Sequence, residues 1–124
     1  MSTYQIADGH DNEAGFAVMT PQPAGRSGQR YPELVFYGNG QADFEGGLFM
    51  ELSWDTMTRA QYNTLRTQLG ISDTVASNDV TVKIRQNDNT FDDWNATLIY
   101  LRTEQRRPDG WRGFSVRLIN MVAT

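Results

Sequence analysis

His10 is the only histidine of the 124-residue chain, which has no cysteine. One imidazole in a segment punctuated by Gly and Asp does not supply a nucleophile, its base and an orienting carboxylate, so a catalytic triad is not expected. Without thiols there is neither a disulfide framework nor a thiolate metal site. Two groups of acids remain. Asp8, Asp11 and Glu13 lie close together, and Asp88, Asp92 and Asp93 surround a turn. Carboxylate clusters bind Ca²⁺ when spaced as in a calcium loop. Neither group has that spacing, and solvated turn acids are the plainer reading. Asp92 and Asp93 are adjacent in a strand pattern, so they point to opposite faces and do not pair as acid and base. Gly38, Gly40, Gly46 and Gly47 fit no phosphate loop. No nucleophile has an evident base. The expectation is a protein that is not an enzyme and needs no cofactor or metal.

The aromatic residues allow two readings. Trp54, Trp94 and Trp111, with Phe91 and Phe114, are either stacking platforms for a sugar or a base or core residues on alternating strand faces. Trp111 directly follows the turn Arg107-Pro108-Asp109-Gly110 and is the one expected to be exposed and placed in an interface. The net charge of −4 argues against nucleic-acid binding. Its distribution is uneven: residues 1–58 hold eight acids against Arg26 and Arg30, while residues 99–124 hold five arginines against Glu104 and Asp109. Lys83 is the only lysine, and Arg rather than Lys is the cation of interfaces and bidentate carboxylate pairing. An acidic end and a basic end suit a molecule that meets copies of itself head to tail. An ordinary mixed surface is the alternative.

These groups need elements to hold them. The stretch Phe49–Gly70 begins as a strand, with Leu48, Met50, Leu52 and Trp54 alternating with Phe49, Glu51 and Ser53. It continues as a helix predicted over 58–69. Thr58 and Gln61 form a capping box, Met57 and Tyr62 a staple, and Gly70 the left-handed stop. Tyr62, Leu65 and Leu69 make one narrow apolar stripe. Alternation predicts strands over Tyr31–Tyr37, Asp79–Arg85, Phe91–Leu101 and Trp111–Val122, with turns at Gly38-Asn39-Gly40, Gln86–Thr90 and Arg107–Gly110. In the last strand Phe114, Val116, Leu118 and Val122 should share one face, and Ser115, Arg117, Ile119 and Met121 the other. Residues 1–30 carry frequent Gly and Pro, and read as an extended N-terminal arm or loop with at most a short strand over Gly15–Thr20. Residues 31–124 read as one β-rich domain. The expected fold is mainly β (α+β), an antiparallel β-sandwich or barrel with one short helix packed on it. No run approaches the ~20 apolar residues of a membrane span, and the N-terminal residues lack the pattern of a signal peptide. A soluble chain made in a cytoplasm is the expectation.

The second half resembles the small tail proteins of long-tailed bacteriophages, of the tail-tube and distal-tail family. The resemblance spans about residues 46–122. It is carried by the strand-to-helix run Leu52–Leu65, the strand Val80-Thr81-Val82, the strand Trp94-Asn95-Ala96-Thr97-Leu98 and the closing strand Phe114-Ser115-Val116-Arg117-Leu118. It implies a structural virion protein, made in the bacterial host and assembled as a ring, often hexameric, around the DNA channel. DNA would be passing cargo, and partners would be further copies and other tail proteins. An acidic lumen is then expected among Asp43, Glu45, Glu51 and Asp55, and subunit contacts among Arg102, Arg106, Arg107, Trp111 and Arg112. A tail terminator, head-tail connector or capsid decoration protein is the alternative within the virion. A monomeric protein- or glycan-binding module is the alternative of another class.

Overall fold

A computed structural model describes residues 3–36, 38, 40–45, 47–108 and 110–124, with 33–36 and 43–45 as backbone only. The expected turns at Gly38–Gly40 and Arg107–Gly110 each include a residue outside this set, Asn39 and Asp109. Tyr37 and Gly46 also lie outside it. In chain order the elements are β1 (Gln5–Asp8), a single 3-10 turn (Glu13–Gly15), β2 (Ala17–Val18), β3 (Gly25–Arg26), β4 (Glu33–Phe36), β5 (Ala42–Glu45), β6 (Met50–Met57), α1 (Arg59–Leu69), β7 (Ser77–Arg85), β8 (Phe91–Tyr100), β9 (Gln105–Arg107) and β10 (Gly110–Ala123).

One antiparallel sheet runs β2-β1-β7-β8-β10-β6-β3, with β9 added to β10, while among the described residues β4 and β5 pair only with each other. The sheet curls into a half-barrel, and α1 packs on its inner face. The expected mainly antiparallel β architecture with one packed helix is therefore present, but the sandwich or closed barrel is not. The reason lies in the end strands. β2 and β3 are two residues each, and Pro21 and Pro23 between them have no N–H to give to a ladder. Among the described residues nothing continues the sheet to closure, and the helix covers the inner face instead.

Strand alternation builds that inner face. Met50, Leu52 and Trp54 of β6, Phe114, Val116 and Leu118 of β10, Ala96, Leu98 and Tyr100 of β8, and Val80, Val82 and Ile84 of β7 are all buried. The register sets Val116 between Leu52 and Tyr100, and Leu118 between Met50 and Leu98. Apolar side chains therefore stack in rows across the sheet. Tyr62, Leu65 and Leu69 of α1 close the core from the other side.

The N-terminal segment is more structured than its composition suggests. β1 pairs with β7, lying inside the sheet rather than beyond it, and Ile6 and Met19 are in the core. The loop after β1 then crosses the outer face. The Thr81 hydroxyl, fully buried, donates to the Gly9 carbonyl at 2.7 Å and accepts from the Asn12 amide at 3.0 Å. Asn95 and Asp11 exchange two hydrogen bonds of 2.9 Å. The loop therefore both covers Thr81 and satisfies its hydroxyl, which also lies 3.3 Å from Asn95 Oδ1.

A second departure from the expected pattern occurs in β10. Its register with β8 shifts between Ile119 and Val122, and Asn120 takes a positive φ of 52°. The bulge reverses the alternation. Met121 turns into the core at 5% exposure, and Val122 turns out at 62%.

The helix start is determined locally. The Gln61 amide donates to Thr58 Oγ1 at 3.3 Å, and the Thr58 amide donates to Gln61 Oε1 at 3.0 Å. Gly70 closes the helix at φ 74°. Thr58→Ala is expected to cost about 1 kcal/mol, measured as a lower urea midpoint at unchanged slope.

Candidate functional site

Helix α1 carries a second row beside its apolar stripe. Arg59, Asn63 and Arg66 recur at i, i+4 and i+7, next to the inward-facing Tyr62. The β9–β10 hairpin rises against this row and brings Arg106, Arg107 and Trp111 to it. Between them lies a cleft of about 490 Å³. Four arginines line it (Arg59, Arg66, Arg106 and Arg107), Tyr62 and Trp111 form its aromatic wall, and Asp73 is its one carboxylate among the described residues.

The cations are unevenly satisfied. Arg66 is held by Asp73 Oδ1 at 2.8 Å, and its guanidinium lies 4.8 Å from the Tyr62 ring centre and 5.6 Å from that of Tyr100. Arg107 donates to Gln105 Oε1 at 3.0 Å. Among the described residues Arg59 and Arg106 have no ion pair. Several guanidinium groups converging on one recess raise its positive potential.

A polar cluster lies beneath the aromatic wall. Tyr62 donates from its hydroxyl to Glu104 Oε2 at 2.7 Å, and Tyr100 donates to the same oxygen. The two hydroxyl oxygens are 2.8 Å apart. Trp111 stacks on Tyr62 with ring centres 4.3 Å apart and planes at 20°. Phe114 meets Tyr62 and Tyr100 from within the sheet. The Glu104 carboxylate thus holds the loop before β9 against α1 and fixes the side of the cleft that carries Arg106 and Arg107.

Burial, reinforced by the hydrogen bond to Glu104, raises the Tyr100 phenol well above its ordinary pKa of 10.0, and burial likewise raises Tyr62. The unfolded chain ionises these phenols near pH 10 and the folded chain does not. Their contribution to stability is therefore fully present below about pH 10 and is lost as pH rises past that value. Tyr100→Phe is expected to cost about 1.5–3 kcal/mol at neutral pH, the range for a hydrogen bond to a charged group. It should also make the alkaline decline shallower. Urea unfolding at pH 7 and at steps above pH 10 measures both effects.

The structure brings together three of the five residues singled out as contacts: Arg106, Arg107 and Trp111. Trp111, expected to be exposed, is half-buried because Tyr62 covers one of its faces. Arg102 lies behind the cleft, donating to the Asp73 carbonyl with its guanidinium 5.2 Å from the Tyr100 ring centre. Arg112 is exposed, opposite Thr56 and Gln105, and is not a lining residue. Of the four acids, two have described side chains. Glu51 is held by Arg117 at 2.5 and 3.0 Å, Asp55 is exposed on the same strand, and Asp43 and Glu45 belong to β5, where side chains are outside the description.

The remaining candidates are accounted for locally. His10 donates from Nε2 to the Ala96 carbonyl at 3.1 Å. Asp88 accepts from the Thr90 hydroxyl and amide, which lowers its pKa. Among the described residues no three His, Cys, Asp or Glu side chains are placed to hold a metal. Trp54 and Phe114 are core residues in edge-to-face contact at 5.3 Å. The sequence reading missed Arg59, Arg66 and Asp73. The i, i+7 spacing of the two arginines on α1 is the signal that points to them.

The chain matches no protein-family model, and comparison with curated proteins and with solved structures finds no similar protein.

Proposed function

We propose that the chain is a structural subunit of a bacteriophage tail, self-associating as a ring around the DNA channel in the tube or at its distal end. The observation that carries the reading is the unfinished sheet. Among the described residues a seven-strand path curls without closing, ends in two-residue strands, and leaves the β4–β5 hairpin paired only with itself. Open edges present unpaired backbone donors and acceptors that a neighbouring chain can satisfy. An isolated two-stranded hairpin is marginal in water and gains stability by docking. The sequence resemblance favours a tail protein of the tube or the distal end, with terminator, connector and decoration roles as the alternatives. In this reading the chain does no chemistry.

A second reading rests on the cleft. An arginine-lined recess with an aromatic wall also suits a monomeric module that binds an acidic partner. Negative-stain images of the purified chain separate the two. Rings or short tubes with a central hole are expected. Dispersed particles of single-chain size at every concentration overturn the ring reading and favour the module.

A further inference from the structure

The cleft lies on the helix side of the sheet, and an acidic loop crosses the other face. Val80 and Val82 of β7 point to the helix side, where the cleft is, and Thr81 between them points to the other. The segment of residues 8–13 leaves Asp8, Asp11 and Glu13 exposed; its loop lies over Thr81 and Asn95, while Asp8, opposite Val80 in β1, shares the helix side with Asn78. It carries three carboxylates and no Lys or Arg. Asp8 accepts from Asn78 and Asp11 from Asn95, so both are oriented by amides while their charges stay uncompensated. Elsewhere Asp79 accepts from Thr97, Asp88 from Thr90, Asp92 from the Asp93 amide and Glu104 from Tyr62 and Tyr100. Glu51 is taken by Arg117, Asp93 by Lys83 at 3.7 Å and Asp73 by Arg66, while Asp55 stands alone on β6.

We propose that the arginine cleft of one copy receives the 8–13 loop of the next. The inference rests on the self-association reading and names its surfaces. A two-fold contact through the cleft would set four arginines against four, and one through the loop would set carboxylates against carboxylates. Only a head-to-tail contact brings the two signs together, and repeated head-to-tail contacts give a closed ring or a filament. The cleft volume falls within the range of about 300–1,000 Å³ typical of binding recesses. The loop is already ordered by Thr81 and Asn95, so docking it costs little conformational entropy.

Two charge-inverted variants test the proposal. One carries Arg106→Glu and Arg107→Glu. The other carries Asp8→Asn, Asp11→Asn and Glu13→Lys, which keeps the oxygens that accept from Asn78 and Asn95 and retains a residue type tolerant of the φ of 52° at position 11. Circular dichroism and thermal melting confirm that both fold, and light scattering at low salt reads association. Each variant alone is expected to associate about 100-fold more weakly than the wild type, because like charges then face each other across the contact. An equimolar mixture should recover assembly, because every cleft then has a loop of opposite sign. If the wild type assembles and either variant does so equally well, the proposed contact is overturned while self-association stands. If both variants fail, fold normally and do not rescue each other, the contact is likewise overturned. A wild type that stays monomeric overturns the self-association reading, and the contact with it.

Discussion

Phe114→Ala lowers the unfolding free energy by about 3–5 kcal/mol, the range for truncating a buried aromatic to alanine. Phe114 is 1% exposed and sits where the sheet meets the helix. Its ring makes edge-to-face contacts with Trp54 at 5.3 Å and Tyr62 at 5.8 Å, and a tilted contact with Tyr100 at 5.7 Å. Those neighbours are themselves pinned. Trp54 donates from Nε1 to the Pro21 carbonyl at 2.8 Å, and Tyr62 and Tyr100 are tied to Glu104. Walls held in this way collapse poorly into a cavity, which places the cost toward the upper end of the range. Domains of this size have about 5–15 kcal/mol in total, so the variant loses a large fraction of its stability. Urea unfolding should show a much lower midpoint with a nearly unchanged slope. A loss under about 1 kcal/mol would mean that Phe114 does not organise the core.

The second large effect is at Gly110, the first residue of β10. Its φ is +139°, and a Cβ there would lie 2.1 Å from the Met57 carbonyl oxygen and 3.4 Å from the Thr58 Cα. Both are backbone atoms of the β6–α1 junction, so a side chain cannot turn away to make room. Gly110→Ala is expected to cost about 1–3 kcal/mol for the backbone conformation alone, and more for separating β10 from the start of the helix. Gly113 is the control. It has a φ of +73°, but the nearest atom to its Cβ would be the Thr103 carbonyl oxygen at 3.7 Å. Gly113→Ala therefore bears only the conformational cost. Thermal melting should rank the variants wild type, Gly113→Ala, Gly110→Ala. Because Gly110 leads into Trp111, Gly110→Ala should also weaken association by displacing the cleft wall. Equal melting temperatures for the two variants would contradict the close approach.

What was legible in the sequence follows the range of the interactions. The helix ends are encoded by Thr58, Gln61 and Gly70 within one turn of where they act, so pattern alone locates them. β7, β8 and β10 are long and alternate, which makes their inward faces readable. β2 falls within the short strand expected over Gly15–Thr20, but β1, β3 and β9, of two to four residues each, were not expected. A strand that short carries no periodic signal, and only register with a distant partner defines it. Ile6 opposite Val82 is such a case. The bulge at Asn120 shows another limit: one residue in a left-handed conformation inverts everything after it, and alternation counted through that point assigns Met121 and Val122 to the wrong faces. The cleft was half visible. Arg106 and Arg107 stand out as a basic turn, but their meeting with Arg59 and Arg66 depends on the β9–β10 hairpin packing against α1. Glu51 is a similar case, since its partner Arg117 lies directly opposite across the β6–β10 ladder, a pairing that only the register sets.

The central claim is that this chain associates with copies of itself through opposed charges. Light-scattering mass of the purified wild-type chain, followed across concentration at low and at high salt, tests it most directly. The expected result is a discrete multimer that grows in population with concentration at low salt and dissociates at about 1 M salt, where the screening length falls to about 3 Å. A mass of 14.0 kDa, that of the single chain, at every concentration and salt would contradict the claim.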